Sequence, residues 1–419
     1  MYKTILLALV CATACAAADW PCFRGPTGMG ASPETGLPAE WGPAKNIAWK
    51  AELPGAGTSS PIILGDRLYL TCYSGYNVPR AERGSPEDLV RHVICMKAGD
   101  GAVIWKKDFP AKLPEQKSIR DDHGYASSTP AADAERVYVF FGKSGVFALD
   151  RQGRELWHAD VGSGTNGWGS AASPVIAGDF LIVNASVESE TLIALDKKTG
   201  EEKWRASGIK ESWNTPILVA TPGGATELVL AIAGRILGFD PATGAQLWSC
   251  ATDIGWYMVP SLVAKDGLVC CIGGRSGGAL AVRAGGRGDV TATHRIWTGT
   301  KGSNVSSPVL HEGRLFWMHE NSGTAYCADA ATGAIVYEER IAGTGQVYAS
   351  PVLAGGKIYY LARNGRAFTV AAAPRFALLA TNDLGDRSAF NASPAVAAGR
   401  LFIRSDKHLY CIGPESTRP

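Results

Sequence analysis

Residues 170–208 read SAASPVIAGDFLIVNASVESETLIALDKKTGEEKWRASG. Four short apolar runs lie in this stretch, at Pro174–Ile176, Phe180–Asn184, Leu192–Asp196 and Glu202–Ala206. An Ala-Gly-Asp turn, a polar loop and a Lys-Lys-Thr-Gly-Glu turn separate them. Runs this short, rich in Val, Ile and Leu and bounded by Gly, Asp and Ser, predict antiparallel strands. In the last turn Asp accepts local backbone hydrogen bonds and Gly supports positive φ. A lone four-stranded meander leaves both faces bare, so it needs copies of itself to pack against.

The copies are present. A small or apolar residue followed by Pro recurs at Ser60-Pro61, Thr129-Pro130, Ser173-Pro174, Thr215-Pro216, Val259-Pro260, Ser307-Pro308, Ser350-Pro351 and Ser393-Pro394. Successive prolines are 69, 44, 42, 44, 48, 43 and 43 residues apart. After the first value this is the period of a propeller blade, about 40–50 residues. A second column places Trp105, Trp157, Trp204, Trp248 and Trp297 in the fourth strand, followed by Tyr337. A third is the turn before that strand: AGDG (98–101), DRQG (150–153), DKKTG (196–200), DPATG (240–244) and DAATG (329–333). Three columns in phase predict an all-β, eight-bladed propeller of four-stranded antiparallel blades.

The last repeat lacks its Trp strand, because only the runs Ala395–Ile403 and His408–Cys411 follow Pro394. The segment NIAWKAELP, 46–54, has the missing pattern, with Trp49 in the Trp column. Pairing this N-terminal strand with the final repeat closes the ring and removes a dangling sheet edge. The expected layout is a signal peptide over 1–18, an extended arm over 19–45, the propeller over 46–413 and a tail over 414–419.

One ring of repeats thus accounts for nearly all of the 419 residues, and 46% hydrophobic content supports a large core. A net charge of +2 gives no electrostatic case for nucleic acid. The start, MYKTILLALVCATACAAA, has a basic residue, a short apolar centre and small residues before Asp19, the pattern of a secretory signal. A periplasmic or secreted bacterial protein is therefore expected. It would meet a membrane only through a partner or a lipid on Cys15, where Ala12 departs from the usual acceptor pattern. Cys22, Cys72, Cys95, Cys250, Cys270, Cys271, Cys327 and Cys411 contain no C-x-x-C spacing, so zinc and dithiol readings lack support. Cys95, Cys327 and Cys411 share a third-strand column with Ala148, Ala194, Gly238 and Ala281, which reads as a site for a small packed side chain. The arm 19–45 is rich in Pro and Gly, with Trp20, Phe23 and Trp41 as its anchors. Charged insertions at 73–91 and 110–124 lengthen the first repeat.

The Ser-Pro first strand, the Asp-x-x-Thr-Gly turn and the Trp that follows resemble the pyrroloquinoline-quinone (PQQ) type propeller repeat. HGYASSTP (123–130), FFGKSGVFALD (140–150), ESWNTP (211–216) and GSNVSSP (302–308) look like a secreted bacterial branch of that family. The resemblance implies two functions. Quinoprotein alcohol and glucose dehydrogenases hold PQQ and calcium over the channel. BamB, of the outer-membrane barrel assembly machinery, binds partner proteins without a cofactor. The repeat defines a fold and does not by itself imply the cofactor.

In such a meander the loops entering the first strand share one face with the loops between the second and third strands. That rule places His123, Tyr125, Trp168, Glu211, Trp213, Asn214, Trp256, Tyr257, Asn304, Tyr348 and Asn391 around the channel mouth, with Gln346 among them. The second set of loops adds Lys143, Glu188, Arg235, Arg275, Glu320, Arg363 and Asp406. Aromatics with amides and mixed charges suit a planar or sugar-like ligand, or a peptide loop. A quinoprotein would need a stacking Trp, six to eight calcium oxygens and a catalytic carboxylate. Trp213 or Trp256, with Glu188, Glu211, Asn214, Asp253 and Arg275, have that chemistry, as any polar mouth would. Asp121-Asp122-His123 reads as a solvated loop. GGRSGG (273–278) precedes a strand and not a phosphate-cradling helix. No G-x-S-x-G and no convincing Ser-His-Asp order points to a hydrolase. The expectation is a monomeric, non-catalytic binding or scaffolding module with no cofactor, taking a protein or a small polar or planar ligand at its mouth. A PQQ/calcium dehydrogenase and a BamB-like assembly factor are the alternatives.

Overall fold

The computed structural model describes residues 18–120, 123–275 and 277–414. The expected signal segment up to Ala17, Cys15, the Asp121-Asp122 pair, Ser276 and the tail beyond Pro414 lie outside them. The described residues form eight sheets arranged as blades over 62–110, 131–159, 175–207, 217–251, 263–299, 309–340, 352–383 and 395–412. Within each blade the strands follow one another antiparallel. The eighth blade takes its outer strand from Ile47–Glu52, with Trp49 opposite Cys411 and Ala51 opposite Leu409. Ile47, Ala48, Trp49 and Ala51 pack on a core shared with Leu401, Phe402 and Leu409.

The columns of the sequence are contacts between neighbouring blades. The Trp105 indole donates to Arg151 O (2.9 Å), Trp157 to Lys197 O (3.2 Å), Trp204 to Pro241 O (3.0 Å) and Trp297 to Ala330 O (2.9 Å). Each acceptor lies in the turn of the next blade. Across the closure Trp49 does the same to Ala98 O at 3.1 Å. The turn glycines lie directly against these rings and have positive φ. A Cβ on Gly200 would come within 2.6 Å of Trp157, and one on Gly244 within 2.4 Å of Trp204. Trp and Gly are therefore in phase because one side chain needs the other's missing one. Gly244→Ala should cost about 2–3 kcal/mol, combining a left-handed alanine with an intruded ring. Gly178→Ala, also at positive φ but with nothing within 4 Å, should cost about 1 kcal/mol. Denaturant unfolding of the two variants measures the difference.

The small third-strand column has the same origin. Cys95, Ala148, Ala194, Ala281 and Cys327 each stand opposite the ring of their own fourth strand. A bulge beside that pairing interrupts the register in all eight blades, which adds to the twist of the sheet. The cysteines from Cys22 onward are free. Cys270 and Cys271 are both fully buried and join different cores, as strand alternation requires. Trp248 departs from the pattern. The turn of the next blade is replaced by a longer loop whose Gly288–Asp289 adds a parallel fifth strand. Its indole donates instead to the buried Glu227 at 2.7 Å.

Around the channel the first strands are joined by hydroxyls. Ser60 N donates to Thr129 Oγ1, Thr129 N to Ser173 Oγ, and Ser173 N to Thr215 Oγ1, at 2.9–3.0 Å. The series continues through Ser261, Ser307, Ser350 and Ser393. Seven junctions are tied in this way. At the eighth, the buried Arg404 donates to Ser59 O, Ser59 Oγ and Thr71 O at 2.7–2.8 Å. In the fifth blade Ser261 holds the ring position, so the sequence register at Val259-Pro260 is early by two residues. The column requires a hydroxyl, not a proline.

The N-terminal arm crosses the inner strands three residues below this ring. Trp20 pairs with Ile63, Pro21 O accepts from Ala132 N, and Ala31–Ser32 adds in parallel to Leu353–Ala354. Arg24, 2% exposed, donates to Pro308 O on the far side. Trp41 N then reaches Asn382 Oδ1 on blade 7 at 2.9 Å. No helix among the described residues is long and apolar enough to cross a membrane.

Candidate functional site

At the hydroxyl ring the channel encloses a cavity of about 140 Å³, lined in part by the ring residues themselves. Its wall contains His123, Trp168, Trp213, Tyr257, Tyr348 and Asn391, with Phe23 of the arm and Arg120 of the 110–124 insertion. Neither Phe23 nor Arg120 belongs to a repeat column; Phe23 is legible in the sequence only as an arm anchor, and Arg120 only as part of a charged insertion. The ring hydroxyls form a column in the sequence, which marks them only as small residues beside Pro.

The cavity has an aromatic-cationic side. Trp168 and Tyr257 meet edge to face at 4.8 Å, and Trp213 lies 5.6 Å from Tyr257. The Arg120 guanidinium lies over Trp168 at 4.6 Å. The Arg275 guanidinium is 4.9 Å from Trp256, and 5.3 Å from both Trp168 and Tyr257. A guanidinium over an aromatic face is attracted by the ring quadrupole. On the opposite side Arg363 covers Tyr348 at 4.4 Å and donates to Asn391 Oδ1 at 2.9 Å. Trp213 is nearly buried and donates to Gly169 O at 2.9 Å, which fixes the Trp168 loop. Trp256 is 44% exposed beside the cavity.

Other residues expected at the mouth are placed elsewhere. Asn214 is wholly buried, and its side chain bonds Ala231 N, Ala231 O and Ser212 Oγ. Tyr125 is covered by the insertion, bonded to Gln116 O at 2.6 Å and packed edge to face on Tyr73. Glu211 is half-buried with φ 52°. Asn304 is half-buried, and its backbone N–H donates to Glu320 Oε2 at 2.9 Å. Lys143 is buried against Pro114 O, and Glu188 against Ser170. The Arg91–Glu115 pair at 2.6 Å, both side chains 4% exposed, clamps the insertion between them and the mouth.

A Ser-His-Asp chain does exist, although the sequence order did not suggest one. His92 bonds Ser74 Oγ at 2.8 Å and Asp108 Oδ1 at 2.7 Å. Antiparallel pairing of the second, third and fourth strands of blade 1 brings the three together. His92 is buried, and Ser74 does not line the mouth cavity. The chain links the second, third and fourth strands of blade 1 at the base of the first insertion.

Calcium-bound PQQ is a poor match to the wall. Among the described residues it contains no carboxylate, and no group of three or more His, Cys, Asp or Glu is placed to hold a metal ion. Glu188, Glu211 and Glu320 are turned into loops, and Asn214 is enclosed. The aromatic and guanidinium groups would suit a planar anion, and among the described residues of the lining no carboxylate stands ready to ligate calcium or take a proton.

A family model described as "Outer membrane protein assembly factor BamB" matches residues 89–339 and 233–375. The chain belongs to that family. BamB of Burkholderia pseudomallei (strain K96243) is 24% identical over 204 residues, 48% of this chain and 44% of the relative. A polyvinylalcohol dehydrogenase of a Pseudomonas species is 25% identical over 190 residues, 41% of this chain and 26% of the relative. The alignments thus span less than half of either relative. The quinohemoprotein alcohol dehydrogenase of Comamonas testosteroni superposes with a TM-score of 0.69 at 12% identity, covering 96% of this chain and 81% of that one. The BamB-family propeller therefore shares its architecture with quinoprotein dehydrogenases.

Proposed function

We propose that this protein is an exported, non-catalytic binding module that captures a planar or sugar-like anion at its channel mouth. The observation that carries this reading is the Arg120–Trp168–Arg275 arrangement, two guanidiniums on one indole, where Trp168 and Arg120 line a cavity without a described carboxylate and Arg275 stands behind the indole. The rings supply flat apolar area, and the arginines stacked on them give that area a positive edge that favours an anion. The Ser/Thr ring accepts from neighbouring backbone N–H groups, which holds it rigid, and it lines the cavity from within the channel.

PQQ itself is the sharpest probe, because it is a planar anion and also the cofactor of the rival reading. Trp fluorescence should be quenched saturably, whether or not calcium is present, with no reduction of an electron-accepting dye by alcohols or sugars. Arg275→Ala should weaken the quenching about tenfold. Calcium-dependent dye reduction would establish the dehydrogenase reading, which the dehydrogenase relative favours. Absence of quenching, with outer-membrane assembly proteins recovered on the immobilised protein, would favour the assembly-factor reading, which family membership favours.

A further inference from the structure

The N-terminal arm carries a charge into the channel. Arg24 follows Phe23, which lines the cavity beside Thr215 and Ser261 at the starts of blades 4 and 5. From there its side chain reaches across to blade 6, where Nη2 donates to Pro308 O; the same nitrogen donates to Met29 O at 3.0 Å. The residue is 2% exposed. A guanidinium has five N–H groups. Those on Nη2 are used, whereas Nε and Nη1 are buried without a partner among the described residues. Burial lowers the Arg24 pKa from 12.5 to about 9, with no carboxylate opposing the shift, so the group stays charged at neutral pH. Arg404, the buried arginine at the eighth junction, makes four hydrogen bonds and has Asp406 nearby to offset its charge.

The hydroxyl ring supplies further donors. Its side chains, from Ser60 round to Ser393, all line the cavity. Seven of the oxygens accept one backbone N–H each, and Ser60 Oγ has no partner. A hydroxyl that has used one lone pair still has its O–H to give. Among the described residues no ring hydroxyl gives its proton to a protein acceptor. Pro308, the acceptor of Arg24, directly follows Ser307 of the ring. Donors therefore surround the channel, and no described carboxylate lines it.

We propose that the channel axis is a binding site for one small monovalent anion of halide size, held between the Arg24 guanidinium and the O–H groups of the hydroxyl ring. A buried cation without a partner is costly, and an anion beside it removes most of that cost. Water satisfies donors but not charge. One guanidinium calls for one negative charge, so a divalent anion would leave an excess buried there. The inference does not rest on the mouth reading, because Arg24 and the ring stand in place whether or not a larger ligand occupies the aromatic wall.

Melting curves of the full chain in sodium chloride, sodium bromide and sodium HEPES, a bulky sulfonate, test the site at one ionic strength of ~100 mM. Either halide should raise Tm by about 3 °C over HEPES, for a dissociation constant of ~1 mM. Arg24→Met keeps the length of the side chain and loses the charge, so its Tm should be the same in all three salts, whatever its own stability. Arg24→Lys should keep part of the shift, since the charge stays and the fork goes. Anomalous diffraction from wild-type crystals grown in sodium bromide locates the ion without any variant, and the peak is expected on the axis beside Arg24. A wild-type Tm indifferent to halide, a shift that persists in Arg24→Met, or an axis without bromide overturns the site. Quenching by PQQ without a halide response would sink this site and keep the mouth reading; a halide response without quenching would do the reverse.

Discussion

A chain that begins at Gly55 should fail to give a stable, soluble monomer. It loses Ile47–Glu52 and exposes the strand His408–Ile412 as an open edge. Such an edge invites pairing with other chains. It also loses the ring of Trp49, which covers Gly101 and donates to Ala98 O across the closure. Trp49→Ala alone should cost about 2–4 kcal/mol, below the full value for a buried aromatic because this ring is partly exposed. Truncation removes the arm as well, so a permuted chain separates the two effects. Fusing residues 46–54 after residue 413 of the truncated chain rebuilds the eighth blade without the arm. Recovery of a cooperative melt in the permutant assigns the loss to the strand. A truncated chain that melts with the wild type would show that the eighth blade is not what holds the ring.

That prediction was legible in the sequence because the Trp column and the glycine turn are one repeated contact. Any element that recurs once per blade leaves a period, and the small residues opposite each ring left theirs too. The Ser/Thr ring shows the limit of this reading. Its period was seen through proline, and proline misplaced blade 5, where Ser261 and not Val259 makes the bond. Residues that act once leave no period. Arg120, Phe23 and Arg24 come from an insertion and the arm, and their destinations depend on which distant blade the segment reaches. Asn214 failed for a different reason. A polar residue after Trp213 reads as solvent-facing, yet its amide completes the backbone pairing of Ala231 inside the blade. Loop position alone does not distinguish an amide that awaits a ligand from one that replaces a missing ladder bond.

Glu188 carries the other large effect. Burial pushes its carboxyl from 4.5 to about 7, against the hydrogen bond from Ser170, and the Glu115 carboxylate nearby adds to the rise. Its second oxygen is buried without a partner. A carboxyl raised on folding favours the native state while both states are protonated, below about pH 4.5. The contribution falls as pH rises and is lost above about 7. The span corresponds to on the order of 3 kcal/mol. Glu188→Gln mimics the protonated acid, so it should match the wild type near pH 4.5 and exceed it at pH 8. The unpartnered amide offsets part of that gain, by roughly 1 kcal/mol. Melting temperatures of both proteins across pH 4–8 give the measurement, and parallel curves would refute the assignment. The consequence reaches the mouth, because Glu188 O accepts from Gly164 N, and Glu188 Oε1 from Ser170 Oγ. Those two residues bracket the loop that presents Trp168. Ionisation of this one buried acid therefore loads the segment on which the aromatic-cationic wall depends, and ligand affinity should fall over the same pH range as stability.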